Sequence, residues 1–165
     1  RYPRGEGVGI EMPDMGELLP IGKGRIIRNG SKIALLSLGC RLQECISAAD
    51  ELMARGLPTT VADARFVKPL DKDMIRDLVL SHEVLITIEE AAIGGFGAHV
   101  LTFLSESGLL DNGIKIRTMT LPDLFIPHDA PDKQYQNAGL MAPDIVSVAL
   151  SALEVSQRAK APARA

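Results

Sequence analysis

The sequence predicts an α/β protein: a three-layer α/β/α sandwich built on a mostly parallel sheet of about five strands, with one antiparallel strand. Short apolar runs of strand length alternate with longer stretches whose apolar residues recur at helical spacing. The run Val84-Leu85-Ile86 with Ile88 is almost wholly apolar, as expected of a strand covered on both faces. Glycine or proline stands at most of the boundaries between these stretches.

Taken in order, Gly7, Gly9, Pro13, Gly16, Pro20 and Gly22 punctuate a stretch with little periodicity, which reads as a linker. The chain opens at Arg1-Tyr2-Pro3-Arg4-Gly5 without a methionine, as part of a longer protein would. Ordered structure is expected from about Lys23. Arg25 to Arg28, then Asn29-Gly30, then Lys32 to Leu36 reads as strand, turn and strand. Asn-Gly suits the positive φ angles of a type I′ turn, so these two strands are expected to pair antiparallel.

After Gly39 a helical stripe follows at Leu42, Cys45, Ile46, Ala49, Leu52 and Met53, closed by Gly56 with Pro58 beyond. Thr59 to Asp63 is a third strand. Asp71 is placed to cap a helix whose inner face is Met74, Ile75, Leu78 and Val79. The apolar strand from Val84 follows. Gly94, Gly95 and Gly97 then turn the chain into a helix with Val100, Leu101 and Leu104 on one face and Gly108 past its end. Ile114 to Leu121 fits a fifth strand. Pro131 and Pro143 each sit where a helix's first turn accepts proline, and the last helix buries Ile145, Val148, Ala149 and Ala152. From Ser156 to Ala165 there is no apolar stripe, which predicts a flexible tail. The expected division is therefore 1–22 linker, 23–155 α/β domain and 156–165 tail.

Composition narrows the function. The 165 residues, 46% of them hydrophobic, suffice for one domain with a sizeable core. A net charge of −3 leaves no basic stripe for nucleic acid, so that partner is excluded. No apolar run is long enough to span a membrane and no signal peptide is evident, so a cytoplasmic protein is expected. Cys40 and Cys45 form neither a disulfide framework nor a CxxC pair and read as reduced packing residues.

Ligands of doubly wound sheets bind outside the carboxyl ends of the parallel strands. Four segments should line that edge: Gly39 to Arg41, Asp63 to Arg65, Glu89 to Gly97, and Pro122 to Asp129. Gly94, Gly95 and Gly97 before a helix could offer amides to a phosphate, but neither GxGxxG nor a P-loop is present and two carboxylates adjoin the turn. Close helix-to-strand packing is the reading preferred for them. Glu89 and Glu90 point opposite ways along a strand, so at most one faces a site, and capping or a domain contact is expected. Asp63 and Arg65 are expected to pair structurally. His82 ends a helix and could meet its last carbonyls, and His99 lies in a helix's first turns. His128, on the edge, is assigned a loop-ordering hydrogen bond. These residues show no metal-ligand spacing, no nucleophile elbow and no complete catalytic constellation.

Several segments together resemble one family. Arg1-Tyr2-Pro3-Arg4-Gly5, Leu19-Pro20-Ile21-Gly22-Lys23-Gly24, Ala62 to Asp71 (ADARFVKPLD), Glu89-Glu90 with Gly94-Gly95-Phe96-Gly97, and Leu121 to His128 (LPDLFIPH) are similar to the C-terminal region of 1-deoxy-D-xylulose-5-phosphate synthases. That family belongs to the transketolase superfamily. The KPLD segment and the glycine turn also resemble the β subunits of 2-oxo acid dehydrogenases. The resemblance implies an enzyme that uses thiamine diphosphate and Mg²⁺ to join pyruvate to glyceraldehyde 3-phosphate with loss of carbon dioxide, feeding isoprenoid, thiamine and pyridoxal biosynthesis.

It further implies a homodimer whose cofactor is held by domains N-terminal to this one, with residues 1–22 ending a pyrimidine-binding domain. The present chain would then support the architecture, bind no cofactor itself and be inactive alone. The glutamate that activates the thiamine ring has no counterpart here. Arg1, or alternatively Arg4, is implied as the grip on the substrate phosphate, for which a guanidinium is suited. Two other expectations stand beside this one. One is the C-terminal domain of a 2-oxo acid dehydrogenase β subunit; the other is a regulatory domain that binds a small molecule at its own strand-end edge.

Overall fold

The computed structural model describes residues 13–160 together with positions 7, 9 and 11, with side chains as far as Leu153. The elements are β1 (Arg25–Arg28), β2 (Ile33–Leu38), α1 (Leu42–Ala54), β3 (Thr59–Asp63), α2 (Lys72–Ser81), β4 (Val84–Glu89), α3 (Phe96–Glu106), β5 (Lys115–Met119), α4 (Pro131–Asn137) and α5 (Ala142–Lys160). Short 3-10 turns lie at Gly39–Arg41 and Leu109–Asn112. The expected tail begins inside α5, and residues 161–165 lie outside the described residues.

The five strands form one sheet in the order β1-β3-β2-β4-β5. β3, β2, β4 and β5 run parallel, and β1 alone is antiparallel. β2 and β4 are the inner pair, and every residue from Val84 to Glu89 is buried. Period-two alternation splits the apolar residues between two layers. Ile33, Leu35, Val84, Ile86 and Ile88 pack against α1 and α5. Ala34, Leu36, Ala62 and Leu85 pack against α2 and α3. At about 1.5 to 3 kcal/mol for each fully buried large aliphatic side chain, these two clusters are the principal favourable term of the fold.

The helix ends follow their capping signals. Asp71 accepts a hydrogen bond from the amide of Met74 at 3.2 Å, closing the start of α2. Gly56 and Gly108 adopt positive φ just past α1 and α3. Met53, expected on the inner stripe of α1, is exposed, and Ala48 takes its place in the core.

The expected hairpin does not form. β1 pairs with β3, with Arg25 opposite Asp63 and Ile26 opposite Ala62, and neither Asn29 nor Gly30 has positive φ. The chain instead crosses the start of β3. Gly30 donates to Thr60 Oγ1 at 2.8 Å, and Ser31 and Lys32 both donate to the Pro58 carbonyl. A Cβ at Gly30 would collide with the backbone of Thr59 and Thr60, so this glycine serves a close approach and not a turn. The cause is burial. Both edges of β2, apolar except for Ser37, are taken by parallel neighbours, whereas β1 carries Arg25 and Arg28, ion-paired to Asp63 and Asp50, and belongs at a sheet edge.

Candidate functional site at the carboxyl ends of the strands

The chain leaves β2 towards α1 on one face of the sheet and leaves β4 towards α3 on the other. The crevice between these two strand ends is the topological switch point, where such sheets bind ligands. Leu38 lies opposite Glu89 at its floor.

Glu89 follows the face of Leu85 and Thr87 and points towards α3. Its Oε2 accepts from the amide of Phe96 and its Oε1 from that of Gly97, both at 2.8 Å, and the residue is 1% exposed. The carboxylate thus occupies the positive end of α3, where two charge-assisted hydrogen bonds and the helix dipole stabilise it. A Cβ at Gly95 would strike this carboxylate, and one at Gly97 would sit 2.7 Å from Thr87 Oγ1 and 2.9 Å from Thr118 Cγ2. Both glycines therefore permit close packing, as expected, and Gly94 supplies a positive φ in the turn.

Glu90 turns to the opposite face. Its Oε1 lies 3.4 Å from Arg41 Nε, with the two side chains 19% and 10% exposed. The Arg41 guanidinium stacks 3.7 Å from the centre of the Tyr135 ring, so a residue of α4 covers the ion pair. Neither Arg41 Nε nor Glu90 Oε1 has a hydrogen bond of good geometry. Burial, and then the neighbouring Glu90 carboxylate, push the Tyr135 phenol and the Cys40 thiol above their ordinary pKa values. Cys40 is exposed beside this cluster, contrary to the packing role expected of it, because it sits on the 3-10 turn before α1. Cys45 is buried, and desolvation pushes its thiol up to about 12.

The remaining expected residues are dispersed. Asp63, buried at the end of β3, accepts from Arg25 Nε at 3.0 Å and from the Arg65 amide at 3.1 Å; the Arg65 guanidinium is 4.0 Å away. That arrangement is structural, and it holds Arg65 at a φ of 57°. His82 caps α2, its Nδ1 2.9 Å from the Leu78 carbonyl and its Nε2 2.7 Å from Thr60 Oγ1. His128 is exposed on the rim of a cavity and has no hydrogen bond among the described residues, which corrects its expected role. Gln134, donating to the Pro127 carbonyl at 3.1 Å, and Asp129, accepting from the Ala130 amide, order that loop instead. Arg1 and Arg4 lie outside the described residues. Arg41 and Tyr135 were not singled out as a pair from the sequence, since 94 positions separate them and only α4's return brings them together.

These groups do not fit Mg²⁺-thiamine diphosphate. The amides that follow the glycine turn at the start of α3 could face a diphosphate, but Glu89 already fills them with negative charge. Among the described residues no group of three or more His, Cys, Asp and Glu side chains is arranged to hold a metal ion. No helix among them is long and apolar enough to cross a membrane.

Residues 22–145 match the family model described as transketolase, C-terminal domain. A solved split-gene transketolase, described as an inactive beta4 tetramer, superposes with a TM-score of 0.76 at 26% identity over 93% of this chain and 47% of its own. A transketolase from Campylobacter jejuni subsp. jejuni superposes with a TM-score of 0.57 at 17% identity over 86% of this chain and 20% of its own, a likeness of fold alone. The chain thus spans about half of one of these proteins and a fifth of the other. With the five-stranded sheet and its single antiparallel strand, the match over residues 22–145 means that the chain belongs to the transketolase C-terminal domain family.

Proposed function

We propose that this chain is the C-terminal domain of a 1-deoxy-D-xylulose-5-phosphate synthase, a transferase that joins pyruvate to glyceraldehyde 3-phosphate on thiamine diphosphate. The domain's part is architectural: it supports a catalytic site built by the other domains of the enzyme. The observation that carries this division of labour is the Glu89 carboxylate seated on the amides of α3, which closes the anion-binding end of that helix. When bound elsewhere in the enzyme, the cofactor supplies the carbanion chemistry, and protein groups orient substrate and exclude water. The substrate assignment rests on the joint presence of RYPRG, ADARFVKPLD and LPDLFIPH. Ile93, Leu124 and Phe125 are exposed on loops at the strand-end edge, and Leu18 and Ile21 before β1, which suits contact with the partner domains or a second copy.

Two measurements test the reading. Calorimetric titration of the 165-residue chain with Mg²⁺-thiamine diphosphate should give no saturable heat; saturable binding would place a cofactor site on this domain and end the division of labour. The intact enzyme should turn over pyruvate with glyceraldehyde 3-phosphate. Turnover with a lipoyl acceptor in place of the aldehyde would instead assign it to the 2-oxo acid dehydrogenases.

A further inference from the structure

The direction of β1 decides where the chain enters this domain. Because β1 is antiparallel, its first residue, Arg25, lies opposite Asp63, the last of β3, so residues 13–24 arrive at the edge formed by the carboxyl ends of the parallel strands. The entry point is held in place. Gly24 donates to Asp71 Oδ2 at 3.0 Å, and the Lys23 ammonium lies 3.3 Å from Asp71 Oδ1 and 3.1 Å from Asp73 Oδ2. A Cβ at Gly22 would strike the Pro69 ring, and one at Gly24 the end of Met74, so both glycines let the incoming chain lie close against the start of α2.

Exposed apolar side chains gather at that same edge. Leu18, Leu19 and Ile21 precede β1, Ile93 follows β4, and Leu124 and Phe125 follow β5. The Leu121 amide donates to the Ala91 carbonyl at 2.9 Å, which lays the last two of these loops side by side. Leu18 and Phe125 are wholly exposed. The opposite edge, reached by the ends of α1 and α2 and by the turn before β5, exposes Met53, Leu80 and Leu110, none by more than 60%. Single exposed aliphatic residues are ordinary, but this asymmetry between the two ends of one sheet marks a face that is covered in the working protein.

We infer that the carboxyl-end edge of the sheet is the docking face for the domain that precedes Gly22 in the same polypeptide, with Phe125 as its anchor. This rests on the reading of the chain as the last domain of a longer transketolase-type enzyme. Connectivity selects the occupant: a chain clamped by Asp71 at one end of the edge holds its own preceding domain there at high effective concentration. Size agrees. From β1 to β5 the edge spans four strand spacings, about 19 Å. A domain of about 150 residues, with a radius of gyration of about 15 Å, covers that span. The face is apolar at its two ends and carries the Arg41–Glu90 ion pair between them, the mixed character of a contact between domains and not of a core. The crevice at the switch point is then a seam in the intact enzyme and not an open ligand site.

The test compares amide hydrogen exchange, read by mass spectrometry, in the intact enzyme and in the 165-residue chain. Peptides covering 91–95 and 121–127 should exchange at least about tenfold more slowly in the intact enzyme, whereas peptides covering 53–57 and 108–113, at the opposite edge, should exchange alike in both. Phe125→Asp in the intact enzyme should return the first two peptides to the rates of the 165-residue chain. In the 165-residue chain the same substitution should leave the urea midpoint unchanged, because Phe125 is wholly exposed there. Equal exchange of 91–95 and 121–127 in the two proteins would overturn the inference. Protection that appears only as the concentration of either protein is raised would overturn it too and assign the face to a second copy. Turnover is read separately: an intact enzyme that fails to join pyruvate to glyceraldehyde 3-phosphate ends the synthase assignment, while protection of these peptides in it still upholds the docking face.

Discussion

Glu89 and Glu90 are consecutive in the chain and end in opposite situations. Glu89, on the α3 side of the sheet, has both oxygens saturated by backbone amides in an interior from which water is excluded. Glu90, on the α1 side, meets a single guanidinium at 3.4 Å beneath an aromatic ring, with one oxygen lacking a hydrogen bond. The first carboxylate is consumed by the fold. The second is held by an ion pair with a side chain from another part of the chain, beneath an aromatic ring at the edge of a cavity.

If the contrast is sound, Glu89→Ala is the most damaging change. It orphans two buried amides and removes two charge-assisted hydrogen bonds, and should cost about 3 to 4 kcal/mol in urea denaturation. A loss of under about 1 kcal/mol would mean that water replaces the carboxylate at α3. Arg41→Leu comes next, at about 2 to 3 kcal/mol, because it leaves Glu90 largely buried without its partner. The double variant Arg41→Leu with Glu90→Leu should recover most of that loss. If it does not, packing beneath Tyr135 and not charge dominates the Glu90 side.

Gly97→Ala probes the Glu89 side by crowding Thr87 and Thr118, for about 1 to 3 kcal/mol in the same assay. Asp71 extends the comparison to a third carboxylate at a helix start. Burial raises its pKa, but the amides of Met74 and Gly24 and the Lys23 ammonium outweigh burial, so the net value lies below the ordinary 3.8. A depressed folded pKa contributes stability that is present above about pH 4 and is lost as pH falls through the folded value. Asp71→Asn should therefore cost about 1 kcal/mol at neutral pH and flatten the loss of stability between pH 4 and 2. The smallest effect is chemical. One thiol per chain, Cys40, should react with a disulfide reagent in the native state, and more slowly than an unperturbed thiol because its pKa is raised; Cys45 should react only after unfolding. Rapid labelling of both would show that α1 does not seal Cys45.

The locally encoded features were legible from the residues alone. Asp71 as a cap, Gly56 and Gly108 past their helices, the two-sided burial of β4 and the packing role of Gly95 and Gly97 each depend on signals within a few positions of one another. The opposite orientation of Glu89 and Glu90 was legible too, since it follows from the two-residue period of a strand. What each carboxylate meets was not, because Arg41 and Tyr135 come from other parts of the chain. His128 looked like a loop anchor because it lies between Pro127 and Asp129, but Gln134 from the following helix does that work.

By itself, then, the sequence determined the elements, their order, their buried faces and the edge at which a site could lie, because periodicity and capping are short-range physics. The tertiary structure alone decided that β1 joins β3 and not β2. Asn29-Gly30 permits a hairpin, but the largely apolar β2 is worth more buried between two parallel strands, and the choice between partners is a competition for burial across the whole sheet. The same long-range closure laid Tyr135 over Arg41 and left Glu90 facing a cavity.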